Sequence, residues 1–581
     1  MEMMSTYIMT LSKYAVIVLS LLIIIRCIRS MLSERYEPEI WSYVYLGKEL
    51  IPVYHWENII GRSRSADIRI DSPAVSRVHA VLIRTNKGDW RIFDIFSKYG
   101  VWVNGVKVSP LGAPVYNGDV INLAGSILTF RDISARQRSE IDTYRTAVGQ
   151  SVAPFPTLVY LTLFQFFLMA EHFCTAESEF VKPICLGFIG LMCLEWLCYN
   201  LMRFVKRSGF EVETLAFYLC SLGMSVAASS TPEDILKQLI LTMVGVALFL
   251  INGWWLRSLK RTLALRVPVG FLAIALLGLN VLTSEAVFGA KNWMEIGGFS
   301  FQPSEFVKVF YIYAGASTLD RLYRTRDLYS FIGFSALCVV ALALIGDFGT
   351  ALIFFVSFLV ISFMRSGSIA TVLLAVSGAG LAGVLAVTVK PYIAQRFAIW
   401  GHVWEDIYDK GYQQTRAMSA AASGGLFGKG AGQGWLEDIF AANTDMVFAM
   451  VSEELGLIVG MCMMLAVLCL ALFAVRSASH ARSSYYAIAA CTAMSMLLVQ
   501  LSLNVFGSLD ILPFTGVTFP FVSRGGSSML ACWMMMAYVK GADNRRDASF
   551  AVSTAKRRDS YEDEEYDEFD EDDEDGGDWL L

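Results

Sequence analysis

Residues able to do chemistry gather in polar clusters set between long apolar runs. The largest cluster, Gly411 to Gly456, reads GYQQTRAMSAAASGGLFGKGAGQGWLEDIFAANTDMVFAMVSEELG. Its glycines at 424, 425, 428, 430, 432 and 434 let the backbone turn tightly and approach a ligand. Asp445 stands at the edge of the next apolar run, with Glu453 and Glu454 about two turns further in. An ionisable group at or inside a membrane segment is costly, so by default it marks a functional path. The local alternative is that Thr444 or Asp445 caps the helix that follows. The second cluster is GAKNWMEIGGFSFQPSEFVK at 289–308. Gln302 and Pro303 break the chain there, Ser304 can cap a helix, and Glu305 and Lys308 occupy its first turns. Spacing of i, i+3 puts acid and base on one face, and the plain reading is an internal ion pair. Asn504 with LPFTGVTFPFVSRGGSS at 512–528 is the next cluster, and GDFGT at 346–350 is a smaller one. Such Pro and Gly breaks are tolerated at membrane depth only where they line a cavity or are covered by protein.

The elements that must position these groups are set by composition. With 55% hydrophobic and 17% charged residues, the chain reads as a multi-spanning membrane protein and not as a soluble enzyme. Its 11 cysteines lie almost all inside apolar segments, which is not a disulfide framework. The formal net charge of −6 is misleading, because the tail from Tyr561 onward holds 13 carboxylates and leaves the body mildly basic. That tail, within 542–581, reads as disordered, kept extended by like charges. A nucleic-acid partner is not expected.

In chain order, residues 1–30 form an anchor: Tyr7 to Ile25 can span a bilayer, followed at once by Arg26, Arg29 and Arg35. A cleaved signal peptide would carry its positive charge before the apolar run, so a retained segment is expected. A polar linker covers 134–154. Apolar stretches then follow at roughly 155–170, 184–202, 212–228, 235–252, 262–283, 304–318, 328–345, 349–364, 368–389, 446–475, 485–508 and 526–539. With the anchor that makes about 13 transmembrane helices, at roughly 20 residues each. Basic residues fall in alternate loops: Arg203, Arg257, Lys260, Arg261, Arg321, Arg365, Arg476, Arg482 and Lys540 among them. The positive-inside rule puts these loops, the region after the anchor and the tail in the cytoplasm, and Gly411–Asp445 outside.

Residues 40–133 change character, to short β-rich runs at 69–70, 80–84, 90–94, 101–103 and 127–130. Asn-Gly at 104–105 and at 117–118 are both hairpin signals, and the whole reads as a small all-β sandwich. Its loops carry IIGRSRSADIRI, SPAVSRVHAVL, FDIFSKYGVWVNG and YNGDVINLA. These motifs resemble the forkhead-associated (FHA) domain family, whose members bind phosphothreonine peptides. The resemblance implies that Arg62 and Ser76 hold the phosphate with Arg77 beside them, and that His79 supports the loop. Arginine suits the role, since its planar fork holds a phosphate dianion by two charge-assisted bonds. The family usually has Asn-Gly where this chain has Tyr99-Gly100, which touches the contact to the peptide backbone. A degenerate docking module is the alternative.

In the membrane part, GAKNW, QPSE with Lys308, GDFGT, GYQ, SGGLFGKG, NTDMVFAMVSEELG and LPFTGVTFPFVSRGGSS are similar, in order and spacing, to the RodA/FtsW-like SEDS family (shape, elongation, division and sporulation). The resemblance covers 210–541, some ten spans, and leaves 155–209 as an added helical hairpin. It implies a peptidoglycan glycosyltransferase that joins lipid II into β-1,4 glycan strands at the outer face of the bacterial cytoplasmic membrane. It further implies a penicillin-binding transpeptidase as partner and a phosphothreonine protein at the FHA domain. By motif, Asp445 corresponds to the family's essential aspartate, Glu305 and Lys308 to its polar pair, and Arg396 and Gln413 to cavity-lining positions. The chain departs from the family at Ala441, Ala442 and Asn443, at Arg524 where tyrosine is usual, and at Asn292 where arginine is usual.

An α-linked donor and a β-linked product require one inverting displacement. That calls for a base on the acceptor hydroxyl and charge stabilisation on the leaving pyrophosphate. Asp445 is the expected base; Lys390, Arg396 and Arg416 are the candidate cations, with a divalent ion (Mg2+ or Mn2+) as the other candidate although no ligand spacing announces one. A lipid II flippase or an inactive scaffold recruiting partners through the FHA domain are the alternatives.

Overall fold

The computed structural model describes residues 2–33, 40–63, 66–85, 88–134, 137, 153–205, 209–284, 292–296, 299–319, 325–366, 369–389 and 391–543. Lys390, most of the 134–154 linker and the acidic tail beyond Asp543 lie outside them.

Eleven short strands form the N-terminal sandwich: β1 (Ser42–Leu46), β2 (Glu49–Val53), β3 (Glu57–Gly61), β4 (Ile68–Arg69), β5 (Ala80–Arg84), β6 (Trp90–Asp94), β7 (Val101–Val103), β8 (Val106–Lys107), β9 (Ala113–Val115), β10 (Val120–Leu123) and β11 (Ser126–Asp132). One sheet runs β2-β1-β11-β10-β7-β8 and the other β4-β3-β5-β6-β9. Alternate residues such as Val44, Ile60, Leu82, Ile92, Ile121, Leu128 and Phe130 point between the sheets and are fully buried, as a period of two demands. Asn104-Gly105 takes positive φ at both positions and closes the β7–β8 hairpin as expected. Asn117-Gly118 does not close a hairpin: it carries the chain from β9 in one sheet to β10 in the other.

The helices are α1 (Glu2–Ser33), α2 (Pro154–Thr175), α3 (Val181–Phe204), α4 (Glu211–Ser230), α5 (Ile235–Leu256), α6 (Leu259–Ala264), α7 (Arg266–Thr283), α8 (Pro303–Leu319), α9 (Thr325–Ile345), α10 (Phe348–Ser366), α11 (Ile369–Val389), α12 (Pro391–Ile399), α13 (Tyr412–Gly424), α14 (Ala442–Asp445), α15 (Val447–Glu454), α16 (Leu457–Ala478), α17 (Ser484–Ser508) and α18 (Gly526–Ala542). Among the described residues eight are long and apolar enough to cross a membrane, with shorter apolar helices at Tyr329–Ile345, Phe348–Met364 and Val372–Leu381. The continuous run expected at 446–475 is two helices. Gly456, at φ +94°, breaks it, and a Cβ there would meet the Leu426 carbonyl at 2.4 Å, so the break is fixed by a close backbone approach.

Helix α4 is central and buried almost throughout. The helices that precede it in the chain are built onto it. Ser20 of α1 meets the Tyr218 hydroxyl at 3.2 Å, the Ser30 hydroxyl donates to Glu211 at 2.9 Å, and Gln165 of α2 donates to Ser221 at 2.9 Å. At one end of the bundle Tyr486 donates to the Leu256 carbonyl and Lys540 to the Gly209 carbonyl, so the loops carrying Arg257, Arg261 and Arg482 share that end. The sandwich docks there. Trp56 N–H donates to the Arg482 carbonyl at 2.7 Å, His55 Nδ1 meets the Ala481 carbonyl at 2.9 Å, and Glu57 accepts from the hydroxyls of Ser483 and Ser484. The Glu57 carboxylate therefore sits at the N-terminus of α17, where the exposed N–H groups favour negative charge.

Candidate active site and phosphate-reading loops

Asp445 ends the one-turn helix α14, between the glycine loop and α15. Neither it nor Thr444 caps a helix: α15 starts after Met446 without a side-chain cap, and the Thr444 hydroxyl donates to the Ala441 carbonyl instead. What holds Asp445 is the polar tip of α17. Asn504 Nδ2 donates to the carbonyls of Thr444 (3.3 Å), Asp445 (3.1 Å) and Val517 (2.8 Å), tying the aspartate's segment to the 512–523 stretch. The Ser523 hydroxyl donates to the Thr444 carbonyl as well, and the Arg524 N–H to the Asn443 carbonyl at 2.8 Å. Gly516 lies directly against the carboxylate. At φ +66° it suits glycine, and a Cβ there would stand 3.1 Å from Asp445 Oδ2. Burial pushes the half-buried Asp445 carboxyl up to about 6, against the lowering influence of the Thr444 side chain and the Arg396 charge.

Arg396 is thus brought to the aspartate. It extends from α12 and donates to the Phe514 carbonyl at 3.1 Å. Gln413 donates to the Phe440 carbonyl at 3.0 Å, in the approach to α14. Arg416, one turn along α13, stacks 5.2 Å from the ring centre of Tyr412. Lys390 is outside the described residues.

Glu305 and Lys308 form the expected ion pair, 2.8 Å long and buried, on the first turns of α8. Ser304 does not cap that helix; it lies inside the first turn behind Pro303 with its hydroxyl buried and unpartnered. Beside the pair, Gln302 donates to Asp347 Oδ2 at 3.2 Å, while Asp347 Oδ1 accepts the Thr350 N–H and so opens α10. Gly349, two residues after Asp347, packs so closely on Val517 that a Cβ would stand 2.5 Å from it. The 513–519 segment therefore separates the ion pair and Asp347 on one side from Asp445 on the other.

Glu453 and Glu454, about two turns past Asp445 in sequence, are engaged elsewhere. Glu453 takes Lys429 at 2.6 Å together with the N–H groups of Trp435 and Leu436, and Glu454 takes the Ser229 hydroxyl and the Gly432 N–H. Both serve the glycine loop. Two departures from the family pattern also find partners: Asn443 donates to Ser230 at 3.1 Å, and Arg524 pairs with Asp234. Among the described residues no three acidic, histidine or cysteine side chains converge as a metal cage.

In the sandwich, the loops bearing Arg62 and Ser76 lie side by side. Arg62 N–H donates to the Ser76 carbonyl and Ser63 N–H to the Arg77 carbonyl, both at 3.0 Å. His79 is fully buried beneath them. Its Nδ1 accepts the Ser76 N–H at 3.1 Å, which leaves Nε2–H to donate to the Gly100 carbonyl, also 3.1 Å away. Arg62 and Arg77 are exposed at the rim. Lys98, which sequence reasoning missed, joins them by donating its N–H to the Ser76 hydroxyl at 3.3 Å. The main chain makes this contact, so the residue type carried no signal for it. Tyr99 lines a neighbouring open pocket of about 430 Å³ with Trp102, Asn122 and Ile127.

A helical membrane bundle with a polar loop system, fused to an N-terminal FHA-type sandwich, is the class these features define. The description of the FtsW, RodA and SpoVE family of cell cycle proteins matches residues 210–547, and that of the FHA domain matches 58–124. The chain belongs to the FtsW/RodA/SpoVE family and carries an FHA domain. Its relatives include the peptidoglycan glycosyltransferase RodA of Mycobacterium bovis, 28% identical over 52% of this chain and 68% of that protein. Stage V sporulation protein E of Bacillus subtilis is 30% identical over 52% of this chain and 84% of that protein. Among solved structures, a chain of a peptidoglycan synthase complex that coordinates polymerization and crosslinking matches 57% of this chain and 96% of its own length, at 26% identity and a TM-score of 0.48.

Proposed function

We propose that the chain is a peptidoglycan glycosyltransferase that joins lipid II into β-1,4 glycan strands at the outer membrane face, with Asp445 as general base. The observation that carries this reading is the setting of Asp445. It is a half-buried carboxyl raised to about 6, held through its backbone by Asn504 and faced by Gly516 and the charge of Arg396. In its ionised form it takes the proton from the acceptor hydroxyl. The acceptor oxygen then bonds to the anomeric carbon while the bond to the polyprenyl pyrophosphate breaks, and the leaving group carries away the electron pair and its negative charge. Arg396 stands where that charge is offset. A base must be unprotonated to act, so kcat/KM should rise with pH through about 6 and level off above it. Initial rates measured from pH 5 to 8 check this; a profile flat through pH 6 counts against Asp445.

Orientation follows from charge. The bundle end that bears Arg257, Arg261, Arg476 and Arg482 is the cytoplasmic one by the positive-inside rule, which puts the docked FHA domain inside and Asp445 outside. There the FHA domain reads a phosphothreonine protein through Arg62, Ser76, Arg77 and Lys98. Replacing Arg62 by alanine deletes a charge-assisted contact worth about 1.5–3 kcal/mol, or roughly ten- to hundredfold in affinity. Calorimetric titration of the chain with matched phosphorylated and plain peptides checks it, and equal affinity for the two peptides would show that the module does not read phosphate. A penicillin-binding transpeptidase is the partner expected on the outer side.

Purified protein given fluorescent lipid II decides the activity. Glycan ladders on a gel support the polymerase; lipid translocation into vesicles without ladders replaces that reading with a flippase.

A further inference from the structure

We propose that Glu171, on the added hairpin α2–α3, is a positioning residue for glycosyl transfer that braces the glycine loop leading to Asp445; this rests on the reading of Asp445 as the base. The loop from Gly428 to Trp435 has no regular structure and Leu436 only opens a 3-10 turn, so their buried N–H groups need partners from elsewhere. Three buried carboxylates supply them. Ala431 N–H donates to Glu171 Oε2 at 2.8 Å, Gly432 N–H to Glu454 Oε2 at 3.1 Å, and the N–H groups of Trp435 and Leu436 to the two oxygens of Glu453 at 3.2 and 3.1 Å. Two of these acids lie on α15, inside the family-matched region 210–547. The third comes from α2, 260 residues away from its partner in sequence and outside that region.

The contact is close along a wall, and not at one atom alone. A Cβ on Gly432 would stand 2.8 Å from Thr175 Oγ1 and 3.6 Å from His172 Nδ1, both on α2, and Gly432 adopts φ +69°. His172 is itself held by a 2.8 Å contact between its Nε2 and the Ser225 hydroxyl of α4. From Leu436 the chain makes one short turn and the Ala442 N–H closes on the Ile439 carbonyl, which delivers Asp445 nine residues after the last braced amide. A shift of the base by about 1 Å is enough to cost roughly a hundredfold in rate. The hairpin outside the family-matched region thereby fixes the position of the proposed base.

The test compares the full-length wild type with Glu171→Ala and Glu171→Gln, which keeps an acceptor oxygen for the Ala431 N–H. Glycan synthesis from fluorescent lipid II should show kcat lowered about ten- to hundredfold in the alanine variant, with KM within about twofold, and mostly recovered in the glutamine variant. Hydrogen exchange should quicken in the peptide covering 429–438 of the alanine variant and stay unchanged in α4 and α17. Wild-type kcat in Glu171→Ala overturns the proposal. So does a loss of rate accompanied by faster exchange throughout α2, α3 and α4, which would mark general damage to the fold. If the wild type itself makes no glycan, the polymerase reading fails, and exchange at 429–438 still decides whether Glu171 braces the loop.

Discussion

Asp445→Asn should give a folded, membrane-inserted protein that still binds lipid II and makes no glycan strand. The substitution keeps side-chain size and most hydrogen bonding while removing the basic oxygen. The segment's position does not depend on the carboxylate, because Asn504 and Ser523 grip the carbonyls of Thr444 and Asp445. The loss is therefore chemical, on the order of 10²–10⁴ in rate, the usual worth of a positioned base. No neighbouring acid can take over. Both oxygens of Glu453 already accept loop N–H groups and one also holds Lys429. Glu454 is turned toward Ser229 and Gly432. A gel of polymerisation products beside a lipid II binding assay separates chemistry from binding. Polymerisation within a few-fold of wild type would mean that the base lies elsewhere.

That Glu453 and Glu454 serve the glycine loop was not legible in the sequence, for a definite physical reason. Eight residues from Asp445 to Glu453 is about two turns of an uninterrupted helix, which puts both on one face. The chain is not helical across that interval: Met446, at φ −125°, separates α14 from α15 and resets the phase. Hydropathy has the same blind spot at Gly456, where apolar residues continue on both sides of a backbone break. The segments themselves were legible, since apolar length marks helices and alternation marks strands. So was the Glu305–Lys308 ion pair, from its i, i+3 spacing beside an apolar run. Asn117-Gly118 announced a turn but not which sheets it joins, because φ preference is local and sheet order is not. The contacts that organise the site across the fold, Glu171 on Ala431 and Glu57 at the head of α17, leave no periodic trace in the sequence.

Glu305→Ala should be the most destabilising single change near the site, about 3–5 kcal/mol. Lys308 is completely buried and Glu305 is nearly so, and the pair meets at 2.8 Å on the first turns of α8. Removing the acid leaves a buried ammonium group without its 2.8 Å partner, which costs more than the pair's own attraction is worth. The effect should spread to α18, because α8 is tied to it where the Gln302 N–H donates to the Ser527 hydroxyl at 2.9 Å. The double variant Glu305→Ala with Lys308→Met removes both charges, so it should recover most of the lost stability. The two single effects are therefore far from additive. Thermal unfolding of the four proteins in one detergent measures the coupling. A Glu305→Ala protein that melts like wild type would show that Lys308 reaches water or a second anion. The activity of the double variant then assigns the pair. A stable double variant that makes no glycan places the charges against the substrate, whereas a stable and active one limits the pair to holding α8 in register beside Asp347 and the 513–519 segment.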